Sequence, residues 1–236
     1  MKILHISNFG DKHNGRLYWN QCYKISNGFI RNGHNVYNFS ERDRSRSDLL
    51  NKFNNNKKLQ LSILETVKIY HPDVVLLGHA DRIHLETLEQ IRSINPSIKI
   101  AEWNVDNYML DNTEHKLKTR SRYVDGIFST TADKKLSECL SGNFITFFPN
   151  IVDPTIEKQK IFNNSEHNKD IFFALSHGVG TGKLRKKNTK KEINDPRVIF
   201  AKEIIASDIE VKCNFFGFNN ISPVWAEEFN NEISSC

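Results

Sequence analysis

The sequence predicts an α/β fold, with a Rossmann-like parallel sheet domain followed by a partial second Rossmann-like domain. Three observations carry this expectation. Short apolar runs alternate along the chain with segments of helical periodicity. One run, Val74-Val75-Leu76-Leu77, is apolar at every position, as a strand covered on both faces must be. The alternation breaks off at a polar stretch after Pro149 and resumes at Asp170.

The first predicted strand is Lys2 to Ser7, followed by a polar, Gly-containing loop from Asn8 to Arg16. Tyr18, Cys22, Ile25 and Phe29 recur at steps of four, three and four, which is one face of a helix, and Gly33 suits its stop. Asn35 to Phe39 reads as the second strand, and Ser40 to Arg46 as a charged loop. Lys57 to Tyr70 is a helix, and Asp73 to Leu77 is the fully apolar strand. Leu85, Leu88 and Ile91 mark another helix, Ile98 to Trp103 a strand, and Gly126 to Ser129 a short one. Ala132 to Leu140 is helical, and Phe144 to Phe148 closes the run. The expected organisation is a domain over 1–150, a linker over 151–169 and a partial domain over 170–236. That last part holds strands at Ile171 to Leu175 and Val211 to Phe216, a helix at Pro196 to Ser207, and the start of another at Trp225 to Ile233.

Composition excludes several classes. The 236 residues are 38% hydrophobic and 26% charged, ordinary globular values. No apolar run approaches the roughly 20 residues that span a bilayer, and Met1-Lys2-Ile3-Leu4 leads into no signal-peptide core. Cys22, Cys139, Cys213 and Cys236 are scattered, which points to a reducing, cytoplasmic setting. The net charge of +5 is a mild excess. The basic run Lys183 to Lys191 lacks interleaved aromatics and any nucleic-acid-binding motif, so no nucleic-acid partner is expected.

In open parallel sheets, ligands bind beyond the carboxyl ends of the strands. The loop after strand one offers Asn8, Gly10, Asn14, Gly15 and Arg16, with a helix N-terminus behind it that favours an anion. After strand three come His79 and Asp81, placed for acid–base work or for gripping sugar hydroxyls, or else for simple turn and cap bonding. After strand four come Trp103, Asn104, Asp106 and Asn107, where an indole can stack a sugar while amides and carboxylates take its hydroxyls; plain turn chemistry is the other reading. The charged loop mixes three arginines, Arg42, Arg44 and Arg46, with two acids, and is either solvated or supplies an Arg contact to phosphate. Gly178 to Lys183 is not a P-loop, since His177 stands where the first glycine belongs and Leu184 where Ser or Thr must bind magnesium. It remains a Gly-rich turn able to receive a diphosphate. No metalloprotease or hydrolase motif and no clustered Cys/His set appears, and no metal is expected.

Two stretches carry a resemblance. One runs Asn14-Gly15-Arg16, then Lys24 to Val36, then Phe39 to Asp43; the other is Phe216-Gly217 with Pro223-Val224-Trp225-Ala226-Glu227-Glu228-Phe229. Together they resemble the bacterial glycosyltransferase-like proteins related to spore-maturation glycosyltransferases, of the GT-B superfamily. The resemblance implies transfer of a sugar from a nucleotide-sugar donor to a carbohydrate or glycan acceptor, as in polysaccharide biosynthesis, with no cofactor beyond the donor. By analogy, Asn8 to Arg16, His79, Asp81 and Asp106 face the acceptor, with His79 or an Asp as base. His177, Gly178, Gly180, Lys183, Gly217, Asn219 and Trp225 face the donor. The family continues well past the Pro-Val-Trp segment, and Ala226 stands where a glycine is expected, so an incomplete donor domain is anticipated. The alternatives are a non-catalytic sugar- or nucleotide-binding module and, further off, a sugar-nucleotide epimerase.

Overall fold

A computed structural model describes residues 1–15, 17–47, 56–106, 111–134, 136, 144–158, 171–175, 199–200, 203, 206 and 213–217. The chain divides into two compact units, 1–158 and 159–236.

The first unit is a six-stranded sheet of β1 (Lys2–Ser7), β2 (Asn35–Ser40), β3 (Val74–Gly78), β4 (Lys99–Asn104), β5 (Gly126–Ser129) and β6 (Phe144–Phe147). Its order is β2-β1-β3-β4-β5-β6 and every pairing is parallel. The connecting helices are α1 (Gln21–Arg31), α2 (Glu41–Ser47), α3 (Lys57–Tyr70), α4 (Leu85–Ile94) and α5 (Asp111–Ser121). This is the Rossmann-like α/β domain the sequence predicts.

Period-two alternation in the strands builds two cores. Leu4 and Ile6 of β1 and Val75 and Leu77 of β3 pack with Leu59, Ile63 and Val67 of α3, Leu88 and Ile91 of α4, and Leu117 of α5. Ile3 and Leu76 point the other way and pack with Cys22 and Ile25 of α1 and with Trp103. Helix α1 therefore covers one face, and α3, α4 and α5 the other. After β2 the chain reverses direction across the sheet, so the connections leaving β1 and β3 part to opposite faces at the carboxyl ends and open a crevice there. Helix α1 stops as expected, with Gly33 beyond its end at φ +78°.

Three segments differ from expectation. The charged stretch after β2 is helix α2, not a loop, and Glu41, Asp43 and Ser45 within it are buried. Helix α5 is absent from the sequence reading because only Leu117 marks its apolar face. The expected linker starts as a strap on α1: Asp153 accepts from Asn27 Nδ2 (2.9 Å) and Arg31 Nη2 (2.7 Å), and Glu157 pairs with Lys24. Of the helix expected over 132–140, Ala132 and Asp133 are described and not helical, while Lys134 and Leu136 are helical; the rest lies outside the described residues.

In the second unit, β7 (Ile171–Leu175) pairs in parallel with β8 (Cys213–Gly217). Residues Ile199, Phe200, Glu203 and Ala206 between them are helical, in line with the expected βαβ pattern. The helix expected at Trp225 to Ile233 lies outside the described residues. Among the described residues, no helix is long and apolar enough to cross a membrane.

Candidate functional site

A pocket of about 420 Å³ opens where the connections leaving β1 and β3 part. Ser7 and Asn8 enter it from the end of β1, His79 from the end of β3, and Trp103 and Val105 from the end of β4. Trp19, Asn20, Gln21 and Cys22 bring the start of α1 to it, and Arg42 of α2 completes the wall. The first turn of α1 holds no acidic residue, and the Asn20 side chain does not cap it.

Its floor is fixed by a buried relay. Trp103 Nε1 donates to His5 Nε2 at 2.9 Å, and His5 Nδ1 lies 2.8 Å from Ser26 Oγ, which donates to Asn38 Oδ1 at 2.7 Å. An indole nitrogen can only donate, so His5 Nε2 accepts and the ring proton sits on Nδ1, bonded to Ser26. Burial holds His5 neutral, its pKa lowered to about 3. Gly78 makes room for the indole: a Cβ there would lie 1.9 Å from Trp103 Cε2.

His79 stands on this floor. Its backbone is left-handed at φ +49°, a conformation that costs a non-glycine residue of order 1 kcal/mol or more and clusters at functional sites. The ring meets Trp103 edge-on at 5.3 Å, and Nδ1 lies 3.7 Å from Asp106 Oδ2. Burial lowers its pKa, against the raising effect of Asp106, which keeps the imidazole neutral and able to accept a proton.

Behind the pocket runs a chain of ion pairs. Arg42 Nη2 binds Asp81 Oδ2 (2.7 Å), and Lys116 Nζ binds Asp81 Oδ1 (2.6 Å). Arg120 Nη1 binds Glu102 Oε1 (3.0 Å), and Arg120 also donates to the Ala80 carbonyl. Burial raises the Asp81 carboxyl, but Lys116 and then Arg42 outweigh it and bring its pKa down to about 2. Beside Arg42, the fully buried Glu41 is driven the other way by burial, to about 7, against the pull of Arg42 and Arg82.

The structure thus brings Asn8, His79 and Trp103 into one pocket, with Asp106 beside His79. Asp81 does not line it; its carboxylate is occupied by Arg42 and Lys116. Asn104, the last residue of β4, is buried and donates to the Asp106 carbonyl in the turn that follows. Gly10, Asn14 and Gly15 shape the β1–α1 loop with positive φ. A side chain at Gly10 would also strike Leu17, 2.3 Å away. Asp43 pins this loop by accepting from the Asp11 N–H at 2.8 Å. Arg16, Asn107, His177, Gly178, Gly180, Lys183, Asn219 and Trp225 lie outside the described residues, and Gly217 ends β8.

Sequence reasoning missed Ser7, Trp19, Asn20, Gln21, Cys22 and Val105 as pocket residues. The signal available for Trp19 to Cys22 was the helix start placed directly after the first strand's loop. Among the described residues, no group of three metal-ligating side chains is gathered. No known family model matches the chain, and no curated protein matches it.

Proposed function

We propose that the protein is a glycosyltransferase-like enzyme whose first unit binds a carbohydrate acceptor in the pocket at the ends of β1, β3 and β4. The observation that carries this reading is His79: a neutral imidazole in strained backbone, backed by Asp106, on an aromatic floor at the sheet's switch point.

In this reading His79 takes the proton of an acceptor hydroxyl as its oxygen bonds to the anomeric carbon of the donor sugar. The bond from that carbon to the nucleoside diphosphate breaks, and the diphosphate leaves with the electron pair. Asp106 stabilises the imidazolium that forms. The donor is a nucleotide-sugar, held by His177, Gly178, Gly180, Lys183, Gly217, Asn219 and Trp225; this half rests on the resemblance in sequence.

The test is a transfer and donor-hydrolysis assay of the full chain with uridine, guanosine, thymidine and cytidine diphospho-sugars. Turnover that falls at least about 100-fold in His79→Gln, the usual scale of a general base, supports the reading. Turnover unchanged in that variant removes His79 as base. A rise in unfolding temperature with one nucleotide, but no turnover with any donor, leaves a binding module in place of an enzyme.

A further inference from the structure

The pocket has two indoles of opposite character. Trp103 is 4% exposed, its N–H is taken by His5, and His79 stands against it, so it is a floor and not a stacking platform. Trp19 is 61% exposed on the pocket's outer wall, with Tyr18 edge-on at 5.6 Å behind it. Exposure of so large an apolar ring in a concave, polar site calls for a ligand surface.

Two polar groups in the same pocket also lack partners among the described residues. Asn8 Oδ1 is buried and accepts no hydrogen bond from the described residues. Arg42 uses Nη2 on Asp81 and lies 3.3 Å from Glu41 through Nε, while its Nη1 makes no hydrogen bond among the described residues. The pocket therefore offers an aromatic face, an acceptor wanting a donor, and a guanidinium edge wanting an acceptor.

We infer that Trp19 is the ring-stacking wall of this pocket and that the ligand is an anionic sugar, whose C–H face lies on Trp19, whose hydroxyl donates to Asn8 and whose phosphate or carboxylate meets Arg42. This deepens the reading of the pocket as an acceptor site and rests on it only for the ligand's later fate. The stacking role expected for Trp103 passes to Trp19.

The experiment is calorimetric titration of the full chain, with no donor present, against glucose 6-phosphate, glucuronate, glucose and inorganic phosphate. At least one anionic sugar binds about tenfold or more tightly than glucose and than phosphate. Comparing the two anionic sugars identifies which anion the Arg42 edge prefers. Trp19→Ala weakens that binding by about tenfold or more with little change in unfolding temperature, since the ring is exposed, and Trp19→Tyr restores most of it. Three results would overturn the inference: no binding of either anionic sugar at millimolar concentration, equal binding of glucose or phosphate, or undiminished binding by Trp19→Ala. Anionic-sugar binding without turnover spares this inference and removes the transferase. Transfer to a neutral sugar undisturbed by Trp19→Ala does the reverse.

Discussion

The Trp103 indole donates to His5 Nε2 across 2.9 Å, although the two residues stand 98 positions apart in the chain. That bond fixes both the indole's orientation beneath His79 and the histidine's tautomer. Trp103→Phe removes the donor and leaves a buried ring nitrogen unsatisfied. The expected loss is about 1–3 kcal/mol in urea unfolding, beyond the change in packing. An unchanged denaturation midpoint would show that the relay contributes nothing.

His5 also sets an acid limit. A base held neutral in the fold binds fewer protons there than in the unfolded chain. Its contribution is complete above the unfolded pKa of about 6.5 and is lost as pH falls toward its folded value of about 3. At pH 5 the loss from this residue is about 2 kcal/mol. Chemical denaturation at pH 7 and pH 5 measures it, and ring-nitrogen chemical shifts that show His5 protonated at pH 5 in the folded state would refute the assignment.

Glu41 works in the opposite direction. Its folded pKa of about 7 lies above the ordinary value of 4.5, so the fold favours its protonated form. The stability this gives is complete below about pH 4.5 and is lost as pH rises through 7. Glu41→Gln keeps the shape without the charge, and its advantage over the parent grows with pH, reaching up to about 3 kcal/mol at pH 8. Melting curves of the pair at pH 5 and pH 8 decide the matter; a gap that stays constant with pH sinks it.

Gly78→Ala places a methyl 1.9 Å from Trp103 Cε2, and the indole must move. Overpacking of this kind costs about 1–3 kcal/mol. Near-UV circular dichroism of the variant loses the signature of the fixed indole, and His79 loses its floor. A variant that keeps both the spectrum and the melting temperature would mean that Trp103 has room the structure does not show.

Asp153→Ala releases the strap over 151–158. The buried Asp153 carboxylate holds Asn27, Arg31 and Thr155, and these hydrogen bonds together keep it ionised well below the usual carboxylate range, against the opposing effect of burial. Limited proteolysis of the variant cuts within this stretch sooner than in the parent, and equal cleavage rates would show the strap to be held by other means.

Much of the sheet was legible because β1, β3 and β4 are buried strands whose apolar character is local. Helices α2 and α5 were not, for one shared reason. Each is held by charges whose partners are remote in sequence: Arg42 by Asp81, Lys116 by Asp81, and Arg120 by Glu102. Periodicity registers apolar residues and reads such segments as solvated. The site divides in the same way. His79 and Trp103 follow from the rule that strand ends hold ligands. Arg42 reads as a loop charge, and Trp19, lying just ahead of the helix, belongs to no periodic face.

The order of the strands has a consequence for how the chain is made. Strand β1, second in the sheet's order, precedes both of its partners in the chain: β2 follows it and ends at Ser40, but β3 begins only at Val74. At roughly 5–20 residues per second, the intervening stretch of about 35 residues takes on the order of 2–7 s. Throughout that interval one flank of Ile3, Leu4 and Ile6 is an open, apolar strand edge on the ribosome. His5 waits longer still, since its indole partner is not made until residue 103. A strand buried at Leu4, His5 and Ile6 in the finished protein is thus exposed along one flank for seconds while the chain is made.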